Sequence, residues 1–427
     1  MGSDRFVFAH LSDAHVGAWP RDPAVRAALR ESVLRALEVV SQRDAEFLLV
    51  SGDLFHTPVP DPGEVAPVAA ALRRLVNEGR RIYVVYGSHD YVAHRTSWLD
   101  VLAETGVFLK VAPEAVRSEG TRWTLPFHVD DPTGARIAGI SGRSHGLDRE
   151  YFQGVDAEAF RAEPGFKVFQ FHAAVEEYLP AHLRAHIRGI RRADLPGECD
   201  YYAGGHIHFT YEGEGPDGGL LVNPGAVFGT SRTDLAHGAS GRTHQGIAVV
   251  TVERGIPKVE YVDTAPRDAI HLVDIDVSGR SAEEAHRAVA ERVREATDRP
   301  GVLVFPRVHG TLADGTVAAL ALTEVARTEG KVAGTVHWDL SELELPEAAG
   351  SGASTEGEVE TAGIGELIAT SASTHPWLEP DSAERLVREL VRELGLPKAE
   401  GESRQDYASA RLAAGRRILG VSAETPS

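Results

Sequence analysis

The chain has 427 residues, 42% of them hydrophobic and 25% charged, with a formal net charge of −19. No stretch approaches the roughly 18 consecutive apolar residues of a membrane span, and the single cysteine, Cys199, excludes an intramolecular disulfide. What remains is the composition of a soluble globular chain with core material for two or three domains.

The acidity is unevenly placed. Between residues 332 and 384 there are 11 Asp and Glu and no Lys or Arg. The rest is only mildly acidic, so overall charge neither supports nor excludes a phosphate-rich substrate. The first residues run directly into an apolar segment without a basic, cleavable leader, and Cys199 reads as a buried small residue. Both point to a reducing cytoplasm.

Taken in chain order, the pattern opens with a strand at 6–11. A helix at 23–42 follows, with Val25, Leu29, Val33, Leu37 and Val40 on one face. A strand at 47–50, a helix at 64–79 and a strand at 82–86 complete a βαβαβ opening, which implies parallel strands with right-handed crossovers. Further strands are expected at 136–141, 167–171, 201–204, 220–222, 247–252 and 258–262. Their spacing predicts antiparallel pairing, hence a mixed two-sheet core with helices outside. A new pattern begins near 269: strand 271–275, helix 282–297, strand 302–308, helix 317–327 and strand 334–338. The expected domains are 1–264, an α+β unit at 265–343, an acidic flexible linker at 344–380 and a helical segment at 381–427. In the last, helices are expected at 382–394 and 403–419.

Several strands end in residues able to carry chemistry. Strand 6–11 runs into Asp13 and His15, which share one side of an extended segment. Strand 47–50 ends at Asp53, and strand 82–86 ends at Gly87-Ser88-His89-Asp90. His172 closes a later strand, and His206 with His208 forms a second pair one residue apart. Each alone is more commonly a cap, a turn or a surface histidine. Together, two Asp and four His suit borderline or hard divalent metals, and the lack of usable cysteine argues against a thiolate zinc site. A pair of ions sharing a carboxylate needs about this many ligands.

Asp13-x-His15, Gly52-Asp53, Gly87-x-His89-Asp90, His172 and Gly205-His206-x-His208, in that order, resemble the calcineurin-like metallophosphoesterase superfamily. His10-Leu-Ser-Asp13-Ala-His15-Val-Gly17, Gly52-Asp53-Leu-Phe-His56 and the small α+β unit resemble the SbcD-type DNA repair exonuclease subunits. The resemblance implies a four-layer αββα core of mixed sheets, then a small α+β capping domain and C-terminal helices. It implies two divalent ions, manganese foremost, with Asp13, His15 and His208 holding one, His172 and His206 the other, and Asp53 between them. It also implies that His89 protonates the leaving 3′-oxygen while Asp90 orients its ring, and that His56 contacts substrate. Asn223-Pro224-Gly225 resembles the turn that follows the last ligands.

Ser88 departs from the pattern, because the family carries asparagine there as a ligand of the second ion. Serine is shorter and a poorer neutral ligand. The implied activity is cleavage of DNA, as exonuclease or endonuclease, by a homodimer working with a coiled-coil, SbcC-like ABC-type ATPase bound through the C-terminal helices. The chain has no phosphate-cradling P-loop of its own. The competing readings are a phosphoesterase for small-molecule or nucleotide phosphodiesters and, because of Ser88, a weakly active DNA-binding scaffold. His145 and His244 are further candidates for a substrate cleft, and Arg184, Arg188, Arg191 and Arg192 form a basic run on an expected helix face.

Overall fold

The computed structural model describes residues 5–345 except 21, 91–95, 113–115, 118–122, 143–147, 185–186, 298–301 and 331–334; beyond 345 it describes only Glu389, Ala413, Ala414 and Arg417. Two compact units divide the chain, Met1–Pro346 and Glu347–Ser427. The expected linker and both expected C-terminal helices lie, but for those four positions, outside the described residues.

In chain order the elements are β1 (Arg5–Leu11), α1 (Pro23–Gln42), β2 (Phe47–Ser51), α2 (Pro62–Asn77), β3 (Arg81–Val85), α3 (Trp98–Glu104), β4 (Leu109–Lys110), β5 (Val116–Arg117), β6 (Trp123–Thr124), β7 (His128–Asp130) and β8 (Ala135–Ile140). Then come α4 (Asp148–Gln153), α5 (Ala157–Ala162), β9 (Lys167–Phe171), α6 (Ala181–Arg184), β10 (Tyr201–Ala203), β11 (Tyr211–Glu214), β12 (Leu220–Asn223), α7 (Arg232–Ala239), β13 (Gly246–Glu253) and β14 (Ile256–Asp263). The last set is β15 (Ile270–Asp276), α8 (Ala282–Ala296), β16 (Leu303–Thr311), α9 (Leu322–Glu329), β17 (Thr335–Val336) and β18 (Leu343–Glu344).

The first sheet runs β14-β13-β1-β2-β3-β4 and the second β11-β12-β10-β9-β8-β7. Their facing sides share one core, with Phe8, Phe47, Tyr83 and Val85 from the first against Ile137, Val168, Tyr201 and Val222 from the second. Phe8 stacks on Phe47 at 4.9 Å and meets Tyr201 edge-on at 5.0 Å. The outer face of the first sheet is covered by α1, α2 and α3 through Leu29, Val33, Leu72 and Leu99, and that of the second carries Phe152 of α4. The layering is therefore helix, sheet, sheet, helix, as expected. Central strands are buried on both faces, which is why β2 reads as an unbroken apolar run.

Two expectations are corrected. β8, β9, β10 and β12 pair in parallel, not antiparallel. α4, α5 and α6 lie in the connections between them and give the chain room to cross over. The expected helix at 317–327 is broken: a 3₁₀ turn at Val317–Leu320 ends at Ala321, whose left-handed backbone (φ 47°) separates it from α9.

The small unit pairs β15, β16, β17 and β18 in parallel, with α8 packed against it by Ala285, Val289 and Val293. Ser281 caps α8 reciprocally with Glu284, matching the expected helix start. Among the described residues no helix is long and apolar enough to cross a membrane.

Candidate metal centre

The C-terminal ends of β1, β2 and β3 converge, as parallel strands must. The loops continue their pairing past the sheet: Asp13 N–H donates to Gly52 O (3.1 Å) and His15 N–H to Asp53 O (2.9 Å). Four side chains named from the sequence, Asp13, His15, Asp53 and His206, have positive φ (49°, 46°, 52° and 94°). Non-glycine residues adopt this conformation at a cost, and it recurs where side chains must be aimed for function. A side chain at Gly87 would collide with Asp53, and one at Gly52, itself at φ 86°, with His172.

Asp53 lies at the middle. Its Oδ2 is 3.7 Å from His15 Nε2 and 3.3 Å from His172 Nε2, while its Oδ1 accepts the N–H of His89 at 2.8 Å. Burial opposes its ionisation, but His172, His15 and that N–H hold the carboxyl well below the usual range. Burial also opposes charge on His172, yet Asp53 pushes it up to about 10. Asp13 Oδ1 is 3.8 Å from His15 Nε2 and 3.9 Å from His208 Nε2, and its Oδ2 accepts the N–H of His206 at 2.9 Å.

Two groups of ligand atoms result, Asp13 with His15 and the half-buried His208, and the fully buried Asp13 with Asp53 and His172; a third trio is His15, His56 and His89. His206 joins none of them: its ring stands 5.1 Å from that of His172. Asp13 Oδ1 and His172 Nε2 are buried with no hydrogen-bond partner among the described residues. A buried acceptor such as Asp13 Oδ1 is costly without a donor unless a cation meets it, so this donor set fits divalent ions bound by oxygen and imidazole.

The histidines' other nitrogens are fixed from behind. His172 Nδ1 donates to Ser51 O (2.8 Å), which turns Nε2 toward Asp53. Ser51 Oγ is in turn 2.9 Å from Nε2 of the buried His10, whose Nδ1 meets Tyr201 Oη at 3.0 Å. His208 Nδ1 donates to Asp234 Oδ2 at 2.9 Å. Burial would lower His208, but the Asp234 carboxylate raises it to about 9 and is itself held at about 2.

Ser88 Oγ donates to Asp53 Oδ2 at 3.4 Å, so its hydroxyl faces the carboxylate at the centre. His89 is exposed at the rim, and its Nδ1 donates to the backbone carbonyl of His56 (2.8 Å), with the two rings stacked at 5.1 Å. The orienting role expected of Asp90 is corrected here. Its carboxylate is buried and accepts the N–H groups of Asp53 (2.7 Å), Gly87 (2.9 Å) and Phe55 (3.3 Å). Asp90 thus ties the ends of β2 and β3 together, while a main-chain oxygen holds the imidazole.

Asn223 is more than part of a turn. Its amide donates to Ile207 O (2.7 Å) and Phe209 O (2.8 Å), bracketing His208. Asp234 was not singled out from sequence; its only local signal is the Ser231-x-x-Asp234 capping box. His244 stacks on Tyr261 at 4.6 Å and lies 3.4 Å from Asp263. His145 lies outside the described residues. Of the basic run, Arg184 lies in α6, Arg188 and Arg191 lie in no helix, and Arg192 begins a 3₁₀ turn.

Residues 6–209 match the model of the calcineurin-like phosphoesterase family. This part of the chain is similar to the calcineurin-like metallophosphoesterases. Beyond the class, the chain is distantly related to proteins named DNA double-strand break repair protein Mre11. It is 26% identical over 319 residues to that of Archaeoglobus fulgidus, covering 70% of this chain and 67% of the relative. With that of Methanopyrus kandleri it shares 25% over 296 residues (66% and 62%), and with that of Methanococcus maripaludis 23% over 202 residues (47% and 51%). The chain thus spans about half to two thirds of the length of these relatives.

Proposed function

We propose that the chain is a two-metal-dependent DNA phosphodiesterase that processes DNA ends as an exonuclease or endonuclease. The observation that carries this reading is Asp53, placed between His15 and His172 with an exposed histidine, His89, beside it. Asp13, His15 and His208 would hold one divalent ion, and His172 and His206 the other, with Asp53 shared and manganese the expected metal. Bound ions of this kind supply Lewis acidity for a phosphodiester and a nucleophile at neutral pH. The chain's own part is to present its carboxylates and imidazoles as ligands, to orient the phosphate with His56 and His89, and to give the leaving 3′-oxygen a proton. Because His89 Nδ1 is committed to a carbonyl, Nε2 is the atom left for that transfer.

DNA as substrate rests on the relation to Mre11 proteins, whose name assigns them to double-strand break repair. The proposed assembly is a homodimer in the cytoplasm working with a coiled-coil ABC-type ATPase. Within it, residues 1–264 form the phosphoesterase domain, 265–343 the cap, 344–380 the linker and 381–427 the contact with the ATPase. A second reading, a weakly active DNA-binding scaffold, is favoured by one observation: the Ser88 hydroxyl donates to Asp53 where the family pattern has a metal-ligating asparagine. Linear DNA and an aryl phosphodiester, each with manganese, separate these readings. The proposal expects DNA cleavage; hydrolysis of the aryl ester alone points to a small-molecule enzyme, and neither to a scaffold.

A further inference from the structure

Helix α7 touches the candidate metal centre and the small sheet within one turn. On one side, Asp234 Oδ2 accepts from His208 Nδ1 (2.9 Å) and also from the N–H groups of Thr230 (2.9 Å) and Ser231 (3.1 Å). The carboxylate is therefore pinned to the start of the helix and cannot follow His208 independently. On the other side, the Arg232 guanidinium is buried against the small sheet. It donates to Phe305 O (3.2 Å), Val273 O (3.4 Å) and Asp274 Oδ1 (3.1 Å). A buried charge held by two carbonyls and a carboxylate is costly to displace, so it fixes the register of α7 on β15 and β16.

The segment after His15 reaches the same place by another route. Trp19, at φ 62°, donates its Nε1–H to Gly229 O (3.1 Å), just ahead of α7. Its ring lies edge-on to His337 (5.0 Å) and Phe305 (5.8 Å), and Asp22 pairs with His337 at 2.8 Å. His172, by contrast, is held through Ser51 O inside the core.

We propose that the first turn of α7 is a strut, in which Asp234 and Arg232 act as positioning residues making the Asp13–His15–His208 ion position, and not the His172 one, depend on how the small sheet is seated. The inference rests on the two-ion reading above. A partner or DNA strand that displaced the small sheet would loosen one ion and leave the other.

The test is calorimetric manganese titration of the full chain, with thermal melting as a control for folding. Wild type is expected to bind in two steps. Asp234→Asn and Arg232→Ala should each weaken the same single step by roughly ten- to a hundred-fold, the usual cost of removing a group behind a metal ligand. Arg232→Lys, which keeps the charge but not the fork, should recover part of that loss. If Arg232→Ala does not fold, Arg232→Lys and Asp22→Asn replace it and should each show a smaller loss in the same step. Folded Arg232 variants with both steps unchanged, or with both weakened equally, overturn the strut. A wild type without two steps overturns instead the two-ion reading beneath it.

Discussion

The imidazole of His89 is held by the main chain of His56: Nδ1 lies 2.8 Å from the carbonyl oxygen, and the rings stack at 5.1 Å. Because the contact uses a backbone atom, it separates what the two side chains contribute. His89→Asn should lower kcat on DNA by about 10²–10⁴-fold, the range for loss of a positioned proton donor, with manganese affinity unchanged. His56→Ala keeps the carbonyl that holds His89 and loses the stacking ring with its proposed phosphate contact, so its cost in kcat should be about ten-fold or less. Steady-state kinetics beside calorimetry on both variants checks the split.

Ser88 offers a gain-of-function test. Its hydroxyl donates weakly to Asp53 (3.4 Å), and asparagine would carry a carbonyl oxygen farther toward the same point. Ser88→Asn should tighten one manganese step by roughly ten-fold, about 1.4 kcal/mol. Ser88→Ala should leave both steps nearly as they are.

Asp90 is expected to matter for architecture. Its two oxygens accept three backbone N–H groups at the meeting of β2 and β3. Asp90→Asn turns one acceptor into a donor facing donors. It should cost about 1–3 kcal/mol in denaturant unfolding and weaken manganese binding through the displaced tips.

Away from the centre, Asp130 on β7 provides a pH test. Burial opposes its charge, but Arg81 (2.8 Å to each oxygen), Thr133 (2.6 Å) and Tyr83 (2.9 Å) more than offset this and lower its pKa. A carboxylate lowered on folding adds stability above its unfolded pKa of about 3.9 and loses it as pH falls through the folded value. Asp130→Asn should therefore be destabilised at pH 7, and the gap to wild type should narrow as the solution is acidified. Unfolding midpoints across acidic pH measure it; a constant gap would count against this origin.

The opening βαβαβ segment was legible because buried parallel strands appear as apolar runs and α1 shows a clean helical stripe from Val25 to Val40. The site was legible because strand ends delivered Asp13, Asp53 and His89 as recognisable pairs. Strand direction in the second sheet was not, since short strands such as β10 and β12 look alike whichever way they pair. Nor were Asp234 and Arg232. A helix-capping aspartate carries no mark of the histidine 26 positions away that it bonds, and a buried arginine none of carbonyls 41 and 73 positions on. The role of Asp90 was not legible, because adjacency in sequence to His89 does not make the side chains partners: Asp90 is buried on backbone N–H groups, whereas His89 is exposed and bonds the His56 carbonyl.

The shared position of Asp53 is tested most directly by following cleavage of linear DNA against manganese occupancy in one titration. Cleavage should appear only as the second ion binds, vanish with a chelator, and be absent in a folded Asp53→Asn variant that no longer binds two ions. DNA cleavage that persists without divalent metal, or survives in Asp53→Asn at the wild-type rate, would contradict the account.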